Sequence, residues 1–333
     1  MQAIKLFQGK NKMQPKLVRW VLAHEPIEIF IRAAERFAEI IEERAPGRLQ
    51  IEILTLSEYA KKYHSDVTAG TANRITKHDL LGLMAEDKIE MSQMYTYVLS
   101  KFNKDLHALD MPFLFEDHEH AARVFEGPIG QELLNGYSTN NSKIQGMAFT
   151  YSGGFMNVPV NKTINSLADL AGAKVRVSNS PVAQDTWTAL GAQPVVMDIE
   201  DLTAGIRAGD VDAGESSWPR VYPCEQNTVS KSILNSEHRL LLTNIIINSD
   251  FLATLDQDLQ DIMFEAAVEA ARFERDISVS DVAPTSARAR ADGIDVVQLS
   301  AEDKESFRKA TESVYSKYQG YFSNDLITRI ANS

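Results

Sequence analysis

One cysteine, Cys224, is all that this 333-residue chain contains. It excludes an internal disulfide and any multi-cysteine metal site, and it does not fix the compartment, because many exported bacterial proteins also lack disulfides. Long apolar runs are absent: none approaches the roughly 18 residues needed to span a bilayer. Positive charge is in deficit, with 34 Lys and Arg against 46 Asp and Glu. The resulting charge of −12 and pI near 5.1 repel polyphosphate over most of the surface and argue against a nucleic-acid partner, while leaving room for local anion binding. No GxGxxG, Walker A or HExxH spacing occurs, so nucleotide binding has no support. The opening residues MQAIKLFQGKNKMQPK are basic but lack the apolar core and small-residue cleavage site of a signal peptide. The chain therefore reads as cytosolic or as a processed or recloned mature form.

What is present is the composition of a soluble globular protein, 44% hydrophobic and 24% charged, long enough for two domains. Lys16 to Ala23 reads as a buried first strand. A helix follows over Ile27 to Ala45, with Phe30, Ala33, Ala34, Phe37, Ile40 and Ile41 on one stripe, and Pro46-Gly47 ends it. Leu49 to Leu54 is a second strand. Thr55 to His78 is irregular, with room for a loop and a short helix. Asp79 to Asp87 looks helical, Ile89 to Leu99 alternates as a strand delivering Tyr95 and Tyr97 near its carboxyl end, and a helix is expected from Asp117 through Leu134. Ile144 to Phe149 is a strand candidate, with a domain crossover at the glycines of Tyr151-Ser152-Gly153-Gly154-Phe155. Asn165 to Tyr222 reads as strand, helix, strand, helix, strand. Leu240 to Asn248 is a buried strand able to carry the chain back to the first domain. The amphipathic helix from Gln257 to about Ser280 should kink or end at Pro284. A short strand, Ile294 to Leu299, and helices over Asp303 to Tyr318 and Phe322 to Ile330 complete the chain. Such alternation implies parallel sheets with helices on both faces, and a crevice outside the strands' carboxyl ends as the default site.

Three patterns invite chemistry. His118 and His120 stand two apart on a predicted helix and so do not share a face, which makes a solvated helix start the better reading than a metal site; His24-Glu25 is no stronger. Gly214-Glu215-Ser216-Ser217-Trp218 resembles a nucleophile elbow, but its last position needs a small residue and holds an indole, so a serine hydrolase using Ser216 or Ser217 is a remote alternative. Arg176 lies between Val175 and Val177. It either alternates out to solvent or projects a guanidinium fork into the cleft to hold a carboxylate, a geometry lysine cannot copy. The pattern alone leaves these two even. Tyr95, Tyr97, Trp187 and Trp218 read as core or seam aromatics, with position after predicted strands favouring Tyr95 and Trp218 as cleft residues.

The runs LDMPFLFEDHEHAARVFEGPIGQELL, NKTINSLADLAGAKVRVSNS and LGAQPVVMDIEDLTAGIRAGDVDAGES, with the long helix after NIIINSDFLATL, occur in an order that resembles the DctP-like substrate-binding proteins of TRAP transporters. The similarity covers about Lys16 to Phe322. It implies a two-domain α/β periplasmic-binding-protein fold of type II-like form, with hinge strands and a long helix spanning both domains. The expected division is 16–153 plus about 242–270, then 154–241 plus about 285–310, a connecting helix at 255–283 and C-terminal helices at 311–333. The resemblance also implies a periplasmic, monomeric receptor that performs no chemistry, uses no cofactor or metal, closes on a small organic anion and delivers it to TRAP permease subunits. It places the ligand carboxylate on Arg176 and resolves the tie above, with Asn179 on the same segment. Met156 and Ser216 stand where many relatives carry a second arginine and an asparagine. Arg176 is therefore expected to be the only guanidinium in its site, and the ligand to have one carboxylate or sulfonate with a compact apolar or zwitterionic remainder against Trp218. An ectoine-like, near-neutral solute is the alternative. By position His24, Glu25 and Tyr95 face the ligand from the first domain.

Overall fold

A computed structural model describes residues 14–24, 27–64, 75–140 and 142–333. Its strands in chain order are β1 (Lys16–Leu22), β2 (Leu49–Leu54), β3 (Met91–Tyr95), β4 (Ile144–Phe155), β5 (Val158–Val160), β6 (Lys174–Val177), β7 (Gln193–Val196), β8 (Ala213–Gly214), β9 (Ser232–Asn235), β10 (Leu240–Asn248) and β11 (Asp295–Gln298). They form two sheets, ordered β2-β1-β3-β10-β4 and β11-β9-β5-β8-β6-β7. The parallel order expected from the alternation holds for β2-β1-β3, β8-β6-β7 and β11-β9. It fails at β10, which runs antiparallel to both β3 and β4, and at β5, antiparallel to β8 and β9. The cause is the crossing itself: the chain leaves the first sheet along β4 and returns along β10, so these neighbours must run opposite ways.

Each element follows from its residues. All nine residues of β10 are buried, as a central strand covered on both faces requires. The helix Glu28–Arg44 buries Phe30, Ala33, Ala34, Phe37, Ile40 and Ile41 and packs with the helix Gln257–Ser280 over one face of the first sheet, where they share a core with Trp20, Met91 and Ile245. The irregular stretch after Thr55 contains a helix, Leu56–Tyr63, opened by a reciprocal capping box between Thr55 and Glu58; residues 65–74 lie outside the described residues.

Three boundaries differ from the pattern reading, and Pro284 plays a different part from the one expected. Tyr95 ends β3 and Tyr97 sits in a helical turn, Thr96–Leu99, rather than on the strand. The helix expected from Asp117 to Leu134 is two, His118–Glu126 and Pro128–Asn135, because Pro128 lacks the N–H that would continue the first and starts the second. The long helix ends at Ser280, and Pro284 falls in the first turn of the next helix, Val282–Ala291, where its missing N–H has no helical acceptor to lose. β4 is longer than expected, twelve residues running through Gly153 and Gly154.

Gly153 explains that length. Its φ is +103°, and a Cβ there would come within 2.6 Å of both Pro219 Cδ and Ser217 Oγ from the second domain. The glycine lets the crossing strand pass against the turn that carries Arg220. Gly153→Ala is expected to destabilise the protein by ~1–3 kcal/mol through strain and overlap, read as a lower denaturant midpoint at unchanged slope.

Candidate functional site

Arg176 points inward. It is 1% exposed, and room for it comes from Gly214 on the adjacent β8, where a Cβ would lie 2.8 Å from Arg176 Cβ. Its Nε donates to Met197 O at 2.7 Å and its Nη1 to Glu215 O at 3.2 Å. These bonds aim the guanidinium without neutralising it, since among the described residues no carboxylate forms an ion pair with it. Burial pulls its pKa down, partly opposed by Tyr97, Glu215 and Glu200.

A second guanidinium lies in the same neighbourhood. Arg220, 1% exposed, follows Trp218-Pro219 in a short 3-10 turn. Its Nη2 donates to the Tyr95 hydroxyl and, at 3.1 Å, to Ser152 Oγ, so the first domain holds a side chain supplied by the second. Its Nε and Nη1 have no oxygen partner among the described residues. Arg176 and Arg220 both sense Tyr95, Tyr97 and Glu200 electrostatically. The Tyr95 ring packs 4.1 Å from the His24 ring and 5.2 Å from the Tyr97 ring, centroid to centroid. Burial pushes both phenols up, so each remains a neutral O–H.

Around these arginines gather buried polar atoms without partners: His24 Nε2, Tyr97 Oη, both side-chain heteroatoms of Asn157, and Gln226 Nε2. Asn157 exchanges backbone bonds with Ser216, whose Oγ donates to Gln226 Oε1 at 2.8 Å. An orphaned buried polar atom costs ~1–3 kcal/mol, and several together call for a common partner. Burial lowers the His24 pKa to about 4, which makes its ring neutral at pH 7.

A third buried arginine is spoken for. Arg239 donates from Nε and Nη2 to Glu215, at 3.0 and 2.5 Å, and from Nη1 to Asp110 at 2.7 Å. Glu215 also accepts from Trp187 Nε1 at 3.0 Å and lies 2.9 Å from His238 Nε2. Burial alone would raise Glu215, but the Arg239 charge and these bonds hold it well below the usual carboxylate range. This cluster ties the start of β10 to both lobes.

Of the residues singled out by sequence, Arg176, Tyr95, His24 and Ser216 come together in this interior. Trp218 does not: its indole packs with Val221, Ile233, Ala289 and Ile294 and donates to Asn235 at 3.2 Å, inside the second domain's own core. Met156 is fully buried in an apolar cluster, and its backbone joins Arg239, Ser236 and Glu237. Asn179 is exposed on the turn after β6, and Glu25 lies outside the described residues. Where a sole guanidinium is expected, the structure places a second buried one, Arg220, in the same interior. Ser216 and Ser217 donate to Gln226 Oε1 and Ser152 O, and among the described residues no histidine bonds either hydroxyl. His118 meets Tyr151 while His120 meets Ile330 O, and no metal-binding cluster occurs among the described residues. Sequence reasoning missed Arg220, Asn157, Gln226, Lys77 and Glu200; no spacing distinguishes a loop arginine that turns inward from one that does not.

Two α/β lobes joined by crossing strands, closed over a buried donor-rich interior, define a solute-binding protein. The chain belongs to the DctP family, described as bacterial extracellular solute-binding protein, family 7, which its residues 23–320 match. It is thus a binding protein and not an enzyme. Among its relatives are the C4-dicarboxylate-binding periplasmic protein DctP of Rhodobacter capsulatus, 26% identical over 74% of this chain and 69% of that one, and the 2,3-diketo-L-gulonate-binding periplasmic protein YiaO of Escherichia coli, 24% identical over 75% and 71%. The fold is shared with TRAP periplasmic solute binding proteins from Polaromonas sp. JS666, bound to D-erythronate (TM-score 0.81, 24% identity, 95% and 98% covered), and from Shewanella oneidensis, with bound succinate (TM-score 0.81, 21% identity, 96% and 100% covered). Among the described residues no helix is long and apolar enough to cross a membrane.

Proposed function

We propose that this protein is the periplasmic, monomeric receptor of a TRAP transporter, closing its two domains on a small oxygen-rich organic acid and handing it to the membrane permease. The observation that carries this reading is a pair of fully buried guanidiniums, Arg176 and Arg220, neither paired with a carboxylate among the described residues. A buried charge is tolerated when a partner completes it, and a ligand carboxylate on Arg176 is that partner. Arg220, Asn157, Gln226 and Tyr97 offer mainly donors, suited to a second acceptor group or to hydroxyls. The zwitterionic alternative needs a free cleft anion or an open aromatic face for the ligand's cation. Glu200 does not serve, because Lys77 and His24 already occupy its oxygens.

The test is a thermal-shift panel on protein freed of bound solute: succinate, D-erythronate, D-glucuronate, simple monocarboxylates, ectoine and neutral polyols. Stabilisation by at least one acid is expected, with neutral polyols and ectoine inactive. A panel in which only ectoine or a polyol shifts the transition, or in which no acid does, overturns the reading.

A further inference from the structure

We infer that an ion-pair clasp built wholly from protein groups, Lys77 with Asp198 and Glu200, holds the two domains shut and positions Arg176 for its ligand. The inference rests on the receptor reading for its purpose but not for its test.

Lys77 opens the helix Lys77–Ala85 of the first domain, and its side chain is only 5% exposed. Its ammonium reaches across the cleft to Glu200 and, at 3.1 Å, to Asp198 Oδ1. His24 Nδ1, at the end of β1, lies 3.0 Å from Glu200 Oε1, and His78 Nε2 lies 3.0 Å from Asp198 Oδ2. Three groups from the first domain thus converge on two carboxylates of the second. Burial alone would raise Glu200, but the bond from His24 and the charges of Arg220 and Lys77 outweigh it and hold the group ionised. At Asp198 too, burial is outweighed, by the Lys77 charge and the bond to His78.

Placement makes this more than a surface bridge. Asp198 and Glu200 belong to the turn that directly follows Met197, and the Met197 carbonyl accepts the Arg176 Nε–H at 2.7 Å. One end of the segment 197–200 therefore grips the first domain while the other orients the anchor. None of these contacts needs a solute, so the clasp favours closure before capture. A closed fraction that is already populated raises apparent affinity in proportion, and a ligand then has less closure to drive. Lys77 and Glu200 are positioning residues, acting through Met197 and Arg176.

The protein is unfolded, dialysed and refolded to remove any retained solute, and the ligand-free form is followed by small-angle X-ray scattering fitted as a closed and an open population. Lys77→Met, Glu200→Gln and their combination form a double-mutant cycle, with Asp198→Asn as a variant at a more exposed position. Each single substitution of Lys77 or Glu200 is expected to lower the closed-to-open ratio about tenfold, ~1.4 kcal/mol, and the combination to lower it no further than either. Salt raised from about 0.01 to about 1 M, which shortens the Debye length from ~30 to ~3 Å, should open the wild type and leave the double variant unmoved. Equal compactness of wild type and variants, effects that multiply in the combination, or a salt response common to all four overturns the clasp. The scattering uses no ligand, so a silent acid panel would refute the receptor reading and leave this result standing.

Discussion

Arg176→Met should erase most of the ligand-induced stabilisation while leaving a folded protein. At a hundredfold excess of ligand over its Kd, the wild type gains ~2.7 kcal/mol. Truncating one partner of a buried charge pair costs ~2–5 kcal/mol, so affinity falls by at least about thirtyfold and the residual stabilisation is at most ~0.9 kcal/mol. The ligand-free variant survives because methionine keeps much of the volume, and because the native guanidinium is itself a buried charge that, among the described residues, is held by the carbonyls of Met197 and Glu215. Arg176→Lys retains the charge but presents no fork, and should recover only part of the effect. The measurement is the shift in melting temperature produced by whichever organic acid stabilises the wild type. A methionine variant that keeps the full shift removes Arg176 from the site.

How far the sequence foretold this arrangement depended on whether the deciding forces were local. The helix Glu28–Arg44, β2 and β10 are set by apolar periodicity and by Pro46-Gly47, all within a few residues, and their bounds in the structure agree with the pattern within a residue or two. Strand direction was not local: β10 and β5 run against their neighbours because the chain crosses between sheets, which no window of sequence contains. The site divides in the same way. Arg176 could be singled out because an arginine inside an apolar strand is unusual, but its inward direction depends on Gly214 across the sheet. Arg220 stands in a polar turn where arginine is ordinary; only Tyr95 and Ser152, 125 and 68 residues away in sequence, make it a site residue. Trp218 failed in the opposite sense, since an aromatic after a strand can serve a core as well as a cleft, and here Ile233, Ala289 and Ile294 claim it.

The second large effect concerns a carboxyl outside the ligand site, Glu274, and its signature is a loss of stability between pH 6.5 and 8. Glu274 lies on the long helix, fully buried, and faces three strands: Gln93 Nε2 of β3 donates to its oxygens at 2.9 and 3.0 Å and to Thr243 Oγ1 of β10 at 2.9 Å, and Thr150 Oγ1 of β4 donates to it at 2.8 Å. Burial pushes its pKa up to about 8, against the smaller opposing effects of those bonds and of the Arg275 charge. The folded protein therefore holds a proton on Glu274 that the unfolded chain releases near its ordinary value of 4.5. Stability from this group is fully present below 4.5 and declines by ~1.36 kcal/mol per pH unit until both states are ionised above 8. His24 acts oppositely: its folded pKa of about 4 against an ordinary 6.5 makes stability rise over that interval, because the unfolded chain binds the extra proton. The two slopes cancel up to pH 6.5, His118 and His238, also lowered by burial, add to the rise, and the depressed carboxylates have already ionised in both states. Above 6.5 Glu274 alone contributes a fall of ~1.6 kcal/mol by pH 8, against a remaining rise of at most ~0.4 kcal/mol from each of the three histidines, so the net change is a smaller fall. Glu274→Gln cannot ionise and can keep accepting from Gln93 or Thr150, so its stability should rise slightly from 6.5 to 8 with the remaining histidine deprotonation. Urea unfolding at half-unit steps measures both curves; a wild-type midpoint that does not fall over this range, or a glutamine variant that falls in parallel with it, would show that Glu274 is not the group that titrates.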